Sequence, residues 1–283
     1  MPIAASTRFT LSDLRAARSS GKNIAVLTCY DYTTASLMQE AGVPALLVGD
    51  SAASVVLGHA STVPVSLSFM IEITAAVRRG APNAFVIGDM PFGSYQASTA
   101  QGVKNVSRMV KLTGCDCIKL EVALSHRKLV KRLADAGVAV MAHLGLRPQS
   151  VGLLGGYRSQ GRTAEQAKLI VSSALEMQDA GAAAILLEAV PAEVGAAVVA
   201  ATSIPVIGCG AGPACHGSVI VTPDGLGLTR TRPRFAPVLQ DISRPMTSAF
   251  TEYVRRVSSG EYPAAEHQYE MPPEEKAKFL KNP

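Results

Sequence analysis

Leu46-Leu47-Val48-Gly49-Asp50 and Ala84-Phe85-Val86-Ile87-Gly88-Asp89 each run through apolar residues and stop on a carboxylate. Three later stretches repeat the pattern with an ionisable end: Cys117-Ile118-Lys119-Leu120-Glu121, Val138-Ala139-Val140-Met141-Ala142-His143 and Ala184-Ile185-Leu186-Leu187-Glu188. A short apolar run suits a strand buried on both faces. Helix-like segments separate the runs, at Thr34 to Ala41, Ser68 to Arg79, Thr99 to Leu112, Ser125 to Ala136 and Thr163 to Ala180. Further strands are expected at Asn23 to Cys29, Pro205 to Gly208 and Val219 to Val221. Strand and helix in alternation predict parallel α/β architecture. The expected fold is one (β/α)8 TIM barrel spanning residues 1–283, with an N-terminal helix at Leu11 to Ser19 and a C-terminal helical extension. From about residue 261 a Pro- and charge-rich tail reads as mobile.

In such a barrel the carboxyl ends of all strands open onto one face, where active sites lie. Four carboxylates, a Lys and a His then converge on one mouth. Carboxylates alone would repel one another, whereas a divalent cation and an anionic substrate would resolve the repulsion. Asp50 and Asp89 at successive strand ends are candidate Mg²⁺ ligands, with Glu121 a third, direct or through water. Lys119 and Glu121 are two apart on one strand and point the same way. Lys119 can hold a carboxylate or an enolate oxygen, or simply pair with Glu121. Glu188 follows the apolar run Ile185 to Leu187, a setting that raises a carboxyl pKa and suits it to abstract a proton. His143 can donate a hydrogen bond to substrate, although a lone His is commonly a satisfied core residue.

Composition narrows the alternatives. The chain is 48% hydrophobic and 17% charged, which fits a packed α/β protein and not a disordered one. It has no Trp and few aromatics, and its +5 charge is spread along the chain without a nucleic-acid motif. Nucleic acid is therefore not an expected partner, and small anionic molecules are. The five Cys residues have no disulfide framework, which points to a reducing, cytoplasmic setting. Met1 to Arg8 lacks a signal-peptide core, and nothing offers the ~20 apolar residues of a membrane span. The Gly-rich stretch Leu144 to Arg162 exceeds an ordinary βα loop and reads as a lid or substrate loop.

In combination, Val48-Gly49-Asp50-Ser51, Asp89-Met90-Pro91-Phe92, Lys119-Leu120-Glu121, His143-Leu144-Gly145-Leu146, Pro148-Gln149-Ser150-Val151, Gly155-Gly156-Tyr157 and Leu187-Glu188-Ala189-Val190-Pro191 resemble the ketopantoate hydroxymethyltransferase family. That family is related to the phosphoenolpyruvate mutase and isocitrate lyase superfamily. The resemblance runs from about Arg8 to His267. It implies hydroxymethyl transfer from 5,10-methylenetetrahydrofolate to 3-methyl-2-oxobutanoate in pantothenate synthesis, with Mg²⁺ as cofactor. It further implies that Asp50, Asp89 and Glu121 form the Mg²⁺ site, that Ser51 and Lys119 bind the 2-oxo acid with the two Asp residues, and that Glu188 is the proton acceptor. Multimers, commonly decamers, are implied too.

Several positions depart from the family pattern, among them Ala60, Ile73, Val122, Ala123, Arg147, His216 and Ser218. Val122 and Ala123 stand where Gly-Gly is usual, and a β-branched residue forbids the close approach that Gly allows. The expectation is that proton abstraction is intact, while Val122, His216 and Ser218 alter the approach of the folate. One alternative is a paralogue using the same enolate step on another 2-oxo acid or another one-carbon or aldehyde donor. A lyase with a catalytic Cys on its mobile loop is disfavoured, because Leu144 to Arg162 contains no Cys. Retention of all the candidate catalytic residues disfavours a non-catalytic barrel.

Overall fold

The computed structural model describes residues 8–281; Met1 to Thr7, and so most of the stretch read for a signal peptide, lie outside the described residues. Eight strands form a closed, all-parallel barrel in sequence order: β1 (Ile24–Thr28), β2 (Ala45–Val48), β3 (Phe85–Asp89), β4 (Cys117–Glu121), β5 (Val140–Gly145), β6 (Ala184–Glu188), β7 (Val206–Cys209) and β8 (Gly217–Ile220). β1 pairs with β8 through Ile24 to Gly217 and Leu27 to Ile220, which closes the ring. The TIM barrel expected from the alternation is thus the fold observed.

The alternation of side chains divides the strands between two cores. Val26, Leu47, Phe85, Ile87, Cys117, Met141, Leu186, Ile207 and Val219 fill the barrel interior, and Leu14 of the N-terminal helix packs with them. Val48, Val86, Ile118, Leu120, Ala142, Ile185 and Leu187 face outward and pack under the helices. Capping fixes where those helices begin. Thr10 and Asp13 form a reciprocal capping box on the helix Leu11–Ser20. Ser98 and Thr163 accept from the backbone of Gln101 and Gln166 to start the helices Thr99–Thr113 and Ala164–Asp179.

Two local features matter. β7 and β8 are joined by a seven-residue loop without a helix, because Gly210, Gly212 and Pro213 cannot sustain one. The stretch 144–162 is not wholly irregular: it holds a 3₁₀ turn at Pro148–Ser150 and a short helix at Val151–Leu154.

The chain forms two compact units. The barrel unit comprises residues up to 225 together with 229–237 and contains every candidate site residue. The second unit, 226–228 and 238 onward, is built on the helices Ser243–Ser259 and Pro273–Lys281. The segment read as a mobile tail therefore carries a helix, initiated by Pro273 and acidic in its first turn at Glu274 and Glu275. No helix among the described residues is long and apolar enough to cross a membrane.

Candidate active site

Asp50, Asp89, Lys119, His143 and Glu188 line one cavity of about 110 Å³. Ser51 and Thr62 add hydroxyls, and Leu47, Leu186, Val219 and Phe235 supply apolar wall. Strand parity aims most of these groups inward. Asp89 follows Phe85 and Ile87 on β3, Lys119 and Glu121 follow Cys117 on β4, His143 follows Met141 on β5, and Glu188 follows Leu186 on β6. Asp50 is different. Val48, two residues before it, packs in the outer core, so continued strand would send Asp50 outward. β2 ends at Val48, and the turn that follows brings Asp50 into the cavity, where its backbone N–H donates to Asp89 Oδ2 at 2.9 Å.

A chain of polar contacts crosses the cavity. Lys119 Nζ pairs with Asp89 Oδ2 at 2.9 Å and donates to His143 Nδ1 at 3.2 Å. An ammonium has no lone pair, so Nδ1 is the acceptor and the imidazole proton sits on Nε2. Burial, reinforced by the Lys119 charge, holds His143 well below its ordinary pKa and keeps it neutral. Its Nε2 stands 3.1 Å from Glu188 Oε2, yet out of line for a hydrogen bond, and has no partner. Burial would lower the Lys119 pKa, but Asp89, Asp50 and Glu121 outweigh it and hold the ammonium charged.

Glu188 retains 17% side-chain exposure, and burial pushes its carboxyl up to about 7 against the opposing charge of Lys119. The apolar run before it thus has the effect expected from sequence. Two backbone features fix its place. Ala189, immediately after it, has φ of +48°, the one non-glycine positive φ among the described residues. Gly145, its register partner on β5, has φ of +86°, and a Cβ there would stand 2.2 Å from the Glu188 carbonyl oxygen. Only Gly admits both the conformation and the contact.

Glu121 is buried but stands behind the cavity. Both its carboxylate oxygens accept from the Gln149 backbone N–H, at 3.3 and 3.1 Å, and its Oε1 lies 3.8 Å from His143 Nδ1. Burial pushes it up to about 9, against the pull of Lys119. Burial likewise pushes Asp89 up to about 7, with Lys119 opposing.

Two supporting residues were not singled out by the sequence reading. Gln149 is 6% exposed, and its Nε2 donates to Asp50 Oδ2 and Met90 O, both at 2.9 Å. Its Oε1 accepts from Tyr95 Oη at 3.0 Å and Gln96 Nε2 at 3.1 Å. The long loop thereby reaches into the site and ties Asp50 to Glu121. The one sequence signal was its place in Pro148-Gln149-Ser150-Val151. Tyr30 is the second: its hydroxyl lies 2.8 Å from Ser51 Oγ.

The polar groups left over indicate what the cavity is built to receive. Thr62 Oγ1, Asp89 Oδ1 and His143 Nε2 are buried, line the cavity and have no hydrogen-bond partner. Buried polar atoms are ordinarily paired, so three such atoms in one cavity mark a polar ligand site. An unpaired carboxylate oxygen on Asp89, with Asp50 bonded to it, suits a hard divalent cation. Among the described residues no three His, Cys, Asp or Glu side chains are grouped closely enough to hold a metal by themselves. Asp50, Asp89 and Glu121 are thus no closed cage. Mg²⁺ fits such an open site, since it keeps positions for water and substrate.

The departing residues lie elsewhere. None of Ala60, Ile73, Val122, Ala123, Arg147, His216 and Ser218 lines the cavity. Val122, Ala123 and Arg147 line a separate groove of about 440 Å³ with Leu169 and Ile170, and Arg147 donates to the Val122 carbonyl. His216 stands at the amino end of the barrel: its O accepts from Ile24 N, and its Nδ1 accepts from Val206 N. Ser218 lies within β8, paired with Gly208, and its exposed side chain faces away from the interior that Val219 lines. Neither residue therefore reshapes the catalytic cavity itself.

Comparison with known proteins places this geometry. A relative from Thermobifida fusca named 3-methyl-2-oxobutanoate hydroxymethyltransferase is 43% identical over 94% of this chain and 95% of its own. A relative from Oryza sativa subsp. japonica, named 3-methyl-2-oxobutanoate hydroxymethyltransferase 2, mitochondrial, is 45% identical over 92% of this chain and 67% of its own. Among solved structures, phosphonopyruvate hydrolase in complex with oxalate and Mg++ superposes with a TM-score of 0.58 at 15% identity, covering 96% of this chain and 98% of that one. That likeness is one of fold. The model of the family described as Ketopantoate hydroxymethyltransferase matches residues 8–265. With its barrel, its strand-end residues and this match over nearly its whole length, the chain belongs to the ketopantoate hydroxymethyltransferase family.

Proposed function

We propose that this chain transfers a hydroxymethyl group from 5,10-methylenetetrahydrofolate to 3-methyl-2-oxobutanoate, giving 2-dehydropantoate through an enolate. The observation that carries the reading is the single cavity in which Glu188 faces Asp50, Asp89 and Lys119. Asp50 and Asp89 would hold Mg²⁺ directly, with Glu121 acting through water. When bound, the metal supplies Lewis-acid polarisation of the keto oxygen and charge stabilisation as the enolate forms.

The remaining roles belong to the chain's own residues. Lys119 and Ser51, with the two Asp residues, bind the 2-oxo acid. Glu188, with its pKa raised to about 7, takes the proton from C3. His143 presents its Nε2–H beside Glu188 and the substrate, and stays neutral beside the Lys119 ammonium. The C3 carbanion equivalent forms a bond to the folate-borne methylene as the first of that carbon's two C–N bonds breaks, and the freed nitrogen takes up the proton removed from C3. Water then supplies the hydroxyl as the second C–N bond breaks, its other proton going to the departing tetrahydrofolate nitrogen.

The paralogue alternative rested on the departing positions, and none of them lines the cavity. This favours the plain family reaction over an altered acceptor. We read the protein further as a cytoplasmic homo-oligomer, decameric by resemblance. Met246, Phe250, Tyr253, Val254 and Val257 on the helix Ser243–Ser259 are exposed, which supports association between copies.

The test is product analysis with purified protein, Mg²⁺, methylenetetrahydrofolate and a panel of 2-oxo acids. The expected product is 2-dehydropantoate from 3-methyl-2-oxobutanoate. Glu188→Gln should bind the 2-oxo acid but stop exchange of its C3 hydrogen with deuterated solvent. Turnover confined to a different 2-oxo acid would put the paralogue in place of this reading.

A further inference from the structure

Four buried side-chain atoms among the described residues have no hydrogen-bond partner: Thr62 Oγ1, Thr74 Oγ1, Asp89 Oδ1 and His143 Nε2. Three of them line the catalytic cavity, and two of those already have a use: Asp89 Oδ1 suits the cation, and His143 Nε2 stands 3.1 Å from Glu188 Oε2. Thr62 has none. It lies in the connection between the short helix Ala52–Val55 and the helix Leu67–Gly80. That connection is exposed from Leu57 to Ala60 and then turns inward, leaving Thr62 5% and Val65 3% exposed. Val65 packs in the outer core, and its N–H donates to Thr62 O. Thr62 is thus held in the cavity wall by its backbone and its neighbour, not by its own hydroxyl. A polar group sealed from solvent without a partner costs stability. One kept in the wall of a ligand cavity points to a ligand atom that completes it.

We propose that Thr62 binds the carboxylate of the 2-oxo acid, its hydroxyl donating to a carboxylate oxygen. Position in the ring identifies that end of the substrate. Thr62 and Ser51 both belong to the connection between β2 and β3, whereas Glu188 ends β6, four strands from β2 and so on the opposite side of the eight-strand ring. In a 2-oxo acid the carboxylate carbon and the reacting C3 flank the keto carbon. With C3 at Glu188, the carboxylate points toward β2. Ser51 Oγ already has the Tyr30 hydroxyl at 2.8 Å, which leaves Thr62 as the hydroxyl on that side without a partner. The inference rests on the reaction proposed above and adds a residue to the grip on its acceptor.

Thr62→Val keeps the shape of the side chain and removes only the hydroxyl. Titration of the Mg²⁺-loaded variant with 3-methyl-2-oxobutanoate should show affinity weakened about 10- to 100-fold, the size of one hydrogen bond to a charged group. Pyruvate shares the 2-oxo carboxylate but not the branched chain, and its affinity should fall by the same factor. Without ligand the variant should unfold at or above the wild-type midpoint, because no bond made in the free protein is lost. Thr62→Ser returns the hydroxyl and should recover most of the affinity. Thr74→Val is the control: Thr74 Oγ1 is also buried and unpartnered but lies outside the cavity, so that variant should bind both acids as wild type does. Unchanged affinity in Thr62→Val, a loss confined to the branched acid, or a lowered midpoint that accounts for the loss overturns the assignment. Solvent exchange of the C3 hydrogen by the wild-type protein is run beside it. Binding without exchange counts against the reaction and leaves the Thr62 comparison to decide the contact. Exchange with unchanged binding in Thr62→Val counts against Thr62 alone, and a wild-type protein that binds neither acid overturns both.

Discussion

Replacing Gln149 with Leu removes, from one buried position, the donor to Asp50 Oδ2 and to Met90 O and the acceptor for Tyr95 and Gln96. The four losses are unequal. A hydrogen bond to a charged group is worth about 1.5–3 kcal/mol, and one between neutral groups about 0.5–1.5 kcal/mol. Asp50 and Met90 O are buried and lose their bonds outright. Tyr95 Oη keeps Glu121 O at 3.0 Å as a partner, so its share is small. Gln96 stands at a more exposed position and recovers water. Leu has comparable volume and returns about 1 kcal/mol through apolar burial. The net loss is then about 2–3 kcal/mol, read as a fall of roughly 4–10 °C in the unfolding midpoint. Urea or thermal unfolding at fixed protein concentration measures it. C3 exchange should also fall, since Asp50 loses a tether while the Gln149 backbone still holds Glu121. Gln149→Glu should be worse than Leu, because it sets a carboxylate against Asp50. A loss below 1 kcal/mol, or a Glu variant more stable than the Leu variant, would refute Gln149 as the brace of this site.

Two further outcomes follow from Glu188 and its surroundings. With its carboxyl raised to about 7 by burial, Glu188 is protonated below that pH and cannot act as a base, so C3 exchange should climb through pH 7 and then level. At pH 6 roughly a tenth of the plateau rate is expected, and a flat profile from pH 5 to 8 would require another base. Gly145→Ala places a Cβ 2.2 Å from the Glu188 carbonyl oxygen at a φ of +86°, so backbone must shift where the base is held. It should cost about 2–4 kcal/mol and lower exchange beyond what partial unfolding explains; an unfolding midpoint within a degree of wild type would contradict the geometry.

How much of this was legible before the fold was known depended on the range of the interactions involved. The sequence alone determined the barrel, because strand runs and helix stops are local signals. It also determined the inward placement of Asp89, Lys119, Glu121, His143 and Glu188. Strand periodicity is two, so each follows from its neighbours two residues away. The raised pKa of Glu188 was readable from the apolar run Ile185 to Leu187 for the same local reason. Asp50 was read as a strand-end residue but not aimed: its direction depends on a turn after Val48 that the apolar pattern does not record.

Tertiary structure decided the rest. Gln149 reaches Asp50 across 99 residues of chain, a pairing that no periodicity encodes. Val122, His216 and Ser218 looked alike as departures from a pattern. The fold separates them into an outer groove, the amino end of the barrel and the exposed face of β8, because strand order and alternation in space fix which side chains share a face.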